Sequence, residues 1–169
     1  MAHRDPVLAR FLEYQCEQGI ALAKESDVID LVPLYSVGGT TRYLTRFHCT
    51  GLLHRAGQVV EHNEFKAGIN FTDDYLYRFD TARVLTWCEP LEIWHPNIRP
   101  PFVCAGRMQP GTPLVDLIYQ LYEIITYHNV EMREHNALNL EACGWARNNL
   151  HRFPLDRRPL KRRMGSRES

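Results

Sequence analysis

The sequence predicts an α+β domain: an N-terminal helix, a four-stranded antiparallel meander, a long irregular loop, and then two or more helices. Three observations support this prediction. Apolar residues first recur at intervals of three and four, then lie in short segments separated by glycine turns, and finally return to the helical interval. A proline-rich stretch separates the last two parts. Helices gathered around one antiparallel sheet bury both kinds of apolar face.

The first helix is indicated by a cap and an apolar stripe. Asp5-Pro6 is typical of an N-cap followed by proline at the first helical position, and Lys24 lies near the expected end. The stripe consists of Val7, Leu8, Phe11, Leu12, Ile20 and Leu22.

The strand-like segments follow in the order of a meander. Gly38-Gly39 marks a hairpin turn between the first two strands, and Gly57 marks another turn before the third. Sequential strands with short connections pair antiparallel. The four predicted strands are Ile29–Val37, Arg42–Leu53, Glu64–Thr72 and Ala82–Trp87.

A loop over residues 89–112, rich in proline and glycine, precedes the later helices. Long ordered loops are often functional, so this segment is a candidate site. Thr112-Pro113 predicts the cap and first position of the next helix, whose apolar stripe runs from Leu114 to Ile125. A weaker helical pattern covers about Leu140–Leu150 and ends before Pro154.

Composition narrows the class of protein. The chain has 169 residues, with 20 basic and 20 acidic side chains, so net charge gives no reason to expect nucleic acid or an anionic membrane as partner. No apolar run approaches the roughly 18 residues that a membrane span needs, and we expect a cytoplasmic protein. One domain is expected over residues 1–153. Residues 154–169 form a basic tail, expected to be a solvated end or else a docking contact for an acidic partner.

The five cysteines form an odd set without a CxxC pair. This pattern argues against a disulfide framework and against a structural zinc site. Cys88, His95 and Cys104 lack a convincing fourth ligand, so no metal is expected. No glycine-rich phosphate loop or other cofactor motif is present, so no cofactor is expected either.

His95-Pro96-Asn97 lies in the proline-rich loop, a short distance before Cys104. This arrangement resembles the ubiquitin-conjugating enzymes, whose hallmark is His-Pro-Asn before the catalytic cysteine. Two further segments are similar to the family: Phe71–Tyr75, although both family prolines are replaced by Thr72 and Leu76, and Asn136–Ala142, before the last predicted helix. The resemblance covers about residues 5–150 in the expected order.

The resemblance implies that Cys104 carries a ubiquitin-like protein as a thioester. That protein would come from an activating enzyme and pass to an amine of a target, a lysine above all. Asn97 would donate to a developing oxyanion or brace the loop, and His95 would hold the loop, with a general-base role as the lesser alternative. Asn136 and Asn139 would help to position the lysine. The family also places the activating enzyme on the N-terminal helix, where Arg4 and Arg10 are the candidate contacts.

Some features depart from the family. Many members have an acid at the position of Asn136. An asparagine cannot take a proton from lysine, so Asp73, Glu134 or a different mechanism would have to compensate. The shortened C-terminal part and the altered prolines resemble the bacterial branch, whose members are linked to antiphage defence operons.

Two other classes of function stay open. One is a cysteine hydrolase that uses Cys104 with His95 or His128, although no third orienting group is recognisable. The other is a non-catalytic binding module on the same fold, against which the presence of Cys104 argues.

Overall fold

The computed structural model describes residues 4–161 and begins with helix α1, Pro6–Lys24. The Asp5 side chain accepts a hydrogen bond from the Val7 N–H at 2.8 Å, which confirms the predicted cap. The buried face of α1 includes Gly19, where an added Cβ would lie 2.6 Å from Leu114 Cδ2. Glycine at this position therefore allows α1 to approach the helix that contains Leu114.

The main sheet has four antiparallel strands, as predicted. Its strands are β1 (Ile29–Leu34), β2 (Arg42–Phe47), β5 (Phe65–Asn70) and β6 (Leu85–Glu89), and they lie side by side in that order. Phe47 pairs with Ile29 on one side and with Phe65 on the other. All three side chains are buried on the same face of the sheet, where they form the core with α1 and the later helix α3 (Leu114–Ile125).

The predicted strand Arg42–Leu53 is divided in the structure. Strand β2 ends at Phe47, and a separate hairpin follows, formed by β3 (Gly51–Arg55) and β4 (Gln58–His62). Its turn places both Ala56 and Gly57 at positive φ. The division occurs where the Thr50 N–H donates to the Asp156 carboxylate at 2.9 Å rather than to a neighbouring strand.

The predicted strand Ala82–Trp87 also begins differently. Its first residues belong to a short helix, α2 (Thr81–Val84), and only the rest lies in β6. The Asp80 side chain accepts from the Ala82 N–H and caps this helix, which explains why the chain turns there before it extends.

Helix α3 spans Leu114–Ile125, and its predicted apolar stripe is buried. The predicted cap by Thr112 is wrong, because the Thr112 hydroxyl donates backward to the Gln109 carbonyl at 2.6 Å. Gln15 of α1 takes the capping role instead, since its Oε1 accepts from the Leu114 N–H at 2.7 Å. Gln15 is only 3% exposed, so this bond joins the two helices inside the protein.

The remaining part of the described chain is irregular apart from helix α4 (Leu140–Arg147) and two 3₁₀ turns, Glu134–Asn136 and Leu150–Arg152. Residues 154–161, the first part of the predicted basic tail, lie against the domain. Leu160 is buried in the core, and Asp156 is hydrogen-bonded to Thr50. Residues 162–169 of that tail lie outside the described range. Within residues 4–161, no helix combines the length and apolar character needed to cross a membrane.

Candidate active site around Cys104

Cys104 lies directly after a short hairpin in the proline-rich loop. The hairpin pairs β7 (Ile98–Arg99) with β8 (Phe102–Val103), and the Cys104 N–H continues the pairing by donating to the Asn97 carbonyl at 2.8 Å. The Cys104 side chain is half-buried and carries a free thiol. Two residues further on, Gly106 has a φ of +74° and no atom within 4 Å of an added Cβ. The backbone next to the thiol is therefore open to an approaching chain.

The side-chain amide of Asn97 connects the Cys104 loop to a distant part of the sequence. Its Nδ2 donates to the Cys104 carbonyl at 3.0 Å, and its Oδ1 accepts from the Glu131 N–H at 2.9 Å. Asn97 is only 5% exposed, so these bonds are shielded from water. The geometry indicates that Asn97 braces the backbone on both sides of the site.

His95 is fully buried, and its Nδ1 accepts from the Asn97 N–H at 2.9 Å. Burial lowers the pKa of His95 to about 3, so the ring is neutral at physiological pH. The ring also packs on Tyr127, with 4.3 Å between the ring centroids. These contacts fit the role of holding the loop. They do not fit the general-base alternative, because the Nδ1 lone pair is already engaged.

Pro96 joins the two segments that carry the sequence resemblance. Its carbonyl accepts from the Leu138 N–H at 2.9 Å and from the Asn139 N–H at 3.1 Å. The segment before α4 is thereby held against the His-Pro-Asn motif. An open depression lies along this junction, lined by Arg99, Glu134, Ala137, Leu138, Asn139, Leu140 and Glu141.

The two asparagines expected to position a lysine have different surroundings. Asn139 is the N-cap of α4, and its Oδ1 accepts from the Ala142 N–H at 3.0 Å. That oxygen is therefore occupied. Asn136 ends a 3₁₀ turn and is exposed, so it is the better placed of the two to contact a substrate.

The two candidate contacts for an activating enzyme also differ in their position relative to α1. Arg4 precedes the cap of α1, so it is not on the helix, and its guanidinium donates to the Gly38 carbonyl. Arg10 lies within α1 and is exposed. Only Arg10 is thus presented on the helix surface.

The histidines required by the hydrolase alternative are engaged elsewhere. His128 Nδ1 is hydrogen-bonded to the Thr126 hydroxyl at 2.7 Å, and His95 Nδ1 is bound to the backbone. Among residues 4–161, no hydrogen bond links the Cys104 thiol to either imidazole. In the same range, no group of three or more metal-ligating side chains is arranged to hold a metal ion.

Sequence reasoning missed Glu131, although its backbone is part of the site. The Glu131 N–H binds Asn97, and its carbonyl accepts from the Cys143 thiol at 3.4 Å. No local motif marks this residue, since it lies in a polar connection between α3 and α4. Only the three-dimensional pairing with Asn97 identifies it.

Neither a scan against protein-family models nor a search of curated proteins found a match to this sequence. The function proposed below therefore depends on the residues and their geometry, together with the motif resemblance.

Proposed function

We propose that this chain is a ubiquitin-conjugating-type enzyme that carries a ubiquitin-like protein as a thioester on Cys104. The observation that carries the proposal is the shared amide of Asn97, which binds both the Cys104 carbonyl and the Glu131 N–H. A half-buried thiol on a braced loop is suited to hold an acyl group in a fixed orientation while an amine approaches. The order helix, sheet, loop, helices supports the finer assignment to the ubiquitin-conjugating fold.

The proposed chemistry is two acyl transfers. In the first, the Cys104 thiolate attacks the activated C-terminal carbonyl of the ubiquitin-like protein, a C–S bond forms, and the leaving group stays with the activating enzyme. In the second, an amine attacks the thioester carbonyl, a C–N bond forms, and Cys104 leaves as a thiolate. The proton lost by the amine passes to solvent. The chain's own task is to orient the carbonyl and the amine.

The proposal includes the setting that the resemblance implies. The partners are a ubiquitin-like protein, an activating enzyme and a target protein with an accessible lysine, and the activating enzyme would contact the exposed face of α1 near Arg10. The bacterial branch of the family supports a place in cytoplasmic antiphage defence. The hydrolase alternative is less well supported, because His95 and His128 are both committed to other hydrogen bonds.

A charging assay tests the proposal. The protein is mixed with ATP, an activating enzyme and a ubiquitin-like protein, and the products are run on gels with and without thiol reductant. The wild type should form an adduct that reductant removes. Cys104→Ser should form an oxyester that survives reductant and is cleaved by mild base, because the alkoxide is a poorer leaving group. Cys104→Ala should form no adduct.

Cys88→Ser is the matched control, since Cys88 is also a half-buried free thiol but lies in strand β6. This variant should charge like the wild type. A reductant-labile adduct on Cys104→Ala would place the nucleophile elsewhere and refute the proposal. Peptide cleavage without any adduct would favour the hydrolase instead.

A further inference from the structure

The basic side chains of this protein are almost all arginine. Of its 20 lysine and arginine residues only three are lysines, Lys24, Lys66 and Lys161, and the stretch from residue 67 to residue 160 has nine arginines and no lysine. That stretch contains the whole candidate site. An arginine carries the same charge as a lysine, but its guanidinium keeps its proton in proteins and therefore offers no free amine to an acyl group.

Arg99 lies beside Cys104 on one face of the short hairpin. Strands β7 and β8 pair with Arg99 opposite Phe102, and the hydrogen bond of the Cys104 N–H continues this register. Because side chains alternate along a strand, Arg99, Phe102 and Cys104 share one face. Ile98 and Val103 are buried on the other. Diagonal neighbours such as Arg99 and Cys104 lie about 7–8 Å apart, which a long side chain can span.

The Arg99 guanidinium is available at this face. Arg99 is exposed, and within residues 4–161 no ion pair includes it. It also borders the open depression along the segment before α4. A lysine at this position would place a primary amine within reach of a thioester on Cys104 of the same molecule. Attack within one molecule is strongly favoured over attack by a separate one, because the two groups are already held together.

The lysines that the chain does have lie outside the candidate site, and two of them are bound by carboxylates. Lys66 Nζ lies 3.2 Å from Glu89 Oε2, and Lys161 Nζ lies 2.8 Å from Glu25 Oε2. The hydrogen bond to Glu25 raises the pKa of Lys161, which further lowers the fraction of free amine at neutral pH. Lys24 lies in the last turn of α1, next to Glu25.

We propose that Arg99 is a specificity-determining residue: it supplies positive charge beside Cys104 without an amine, so that the acyl group passes to another chain and not to the enzyme itself. This inference rests on the proposed function. In self-conjugation, a lysine amine of the enzyme would attack the thioester carbonyl and form a C–N bond. Cys104 would leave as the thiolate, and the amine proton would pass to water. Arginine at position 99 closes this route at a point next to the thiol.

The test replaces Arg99 by lysine, which keeps the charge and adds the amine. Wild type and Arg99→Lys are charged with the ubiquitin-like protein, ATP is removed, and no target is added. The wild type should form no adduct that resists both reductant and mild base. Arg99→Lys should form such a self-adduct at least about tenfold faster than the wild type, at a rate independent of enzyme concentration. Peptide mass spectrometry should locate the new amide bond at residue 99.

Three further variants separate the added amine from a change in structure. Arg99→Gln removes the charge without adding an amine and should form no self-adduct. Arg46→Lys is the matched control, since Arg46 is also an exposed arginine in a strand but lies in β2 of the main sheet; it should behave like the wild type. Phe102 is 53% exposed on the same hairpin face as Cys104, so Phe102→Lys should self-conjugate. This variant decides the matter if Arg99→Lys cannot be charged.

Several outcomes would overturn the inference. One is a wild type that conjugates itself, at any of its three lysines or at its N-terminal amine. Another is a pair of lysine variants, at positions 99 and 102, that charge normally and form no self-adduct. A self-adduct on Arg46→Lys or Arg99→Gln as abundant as that on Arg99→Lys would also refute it. In all these cases a wild type that charges on Cys104 leaves the proposed function intact. A wild type that never charges would instead defeat the proposed function.

Discussion

Replacing Asn97 by alanine should loosen the Cys104 loop more than it disturbs the rest of the domain. The substitution removes the donor to the Cys104 carbonyl and the acceptor for the Glu131 N–H. Since Asn97 is 5% exposed, water cannot readily replace either bond. Both segments then lose their common anchor.

The size of the effect follows from the two bonds. Each buried hydrogen bond contributes about 1 kcal/mol net, and a buried partner left unpaired costs about 1–3 kcal/mol. We expect Asn97→Ala to lower the free energy of unfolding by about 2–4 kcal/mol. A loop displaced by about 1 Å can slow an acyl transfer about 100-fold, so a purely bracing role should slow loading and discharge to lysine alike. A larger loss in discharge than in loading would indicate that the Asn97 amide donates to the reacting carbonyl in the second step.

The assay combines urea unfolding with single-turnover loading and lysine discharge. Asn97→Asp isolates one half of the effect, because it keeps an acceptor for Glu131 but turns a charged oxygen toward the Cys104 carbonyl. Asn149→Ala is the matched control: its Nδ2 also donates to a backbone carbonyl, that of Trp145 at 2.8 Å, but within the C-terminal part of the domain. This control should lose about 1 kcal/mol of stability and keep normal transfer.

The bracing role would be refuted by unchanged stability. If Asn97→Ala unfolds within about 0.5 kcal/mol of the wild type while lysine transfer collapses, the amide acts directly on the reacting carbonyl. If neither quantity changes, the two hydrogen bonds have no importance for the site.

Three further predictions concern stability. Gln15→Leu should lower the free energy of unfolding by about 1–3 kcal/mol in urea, because the buried Leu114 N–H loses its acceptor, whereas Gln15→Glu should retain most of the stability. Burial alone would raise the pKa of Asp156, but hydrogen bonds from Arg158 and from a backbone N–H outweigh it and lower that pKa. The stability contributed by Asp156 should therefore be present above the ordinary carboxyl pKa of about 3.9 and should decline as the pH falls below that value. In pH-dependent unfolding measurements, this decline should be smaller in Asp156→Asn. Gly144→Ala should stabilise the protein by about 0.5–1 kcal/mol in thermal unfolding, since an added Cβ within α4 meets no atom within 4 Å; a loss of stability would contradict this account.

The sequence predicted those parts of the fold that depend on local patterns. The Asp5-Pro6 cap, the apolar stripe of α3 and the four-stranded antiparallel sheet follow from short-range spacing and turn residues, and the structure confirms them. Local patterns failed where a distant residue decides the structure. The cap of α3 comes from Gln15, far away in the chain, and the end of β2 is followed by a bond from Thr50 to Asp156.

In the candidate site, too, local features could be predicted from the sequence and long-range contacts could not. Cys104 and the His-Pro-Asn segment could be proposed as a candidate site from the sequence alone, because they lie close together in it. The hydrogen bond between Asn97 and Glu131 joins residues 34 positions apart and leaves no periodic or compositional signal. The exposed position of Asn136 and the capping role of Asn139 likewise required the structure, because both asparagines look equivalent in the sequence.

The amide of Asn97 also sets an order of events during protein synthesis. The ribosome produces Asn97 and Cys104 before Glu131, Leu138 and Asn139, and a domain generally folds as a unit. Until the later segment arrives, the Asn97 oxygen has no Glu131 N–H to accept, and the Pro96 carbonyl lacks its two donors. A nascent chain thus contains the thiol but not the braced loop around it. Cys104 acquires its final geometry only in copies of the protein whose C-terminal half has also folded.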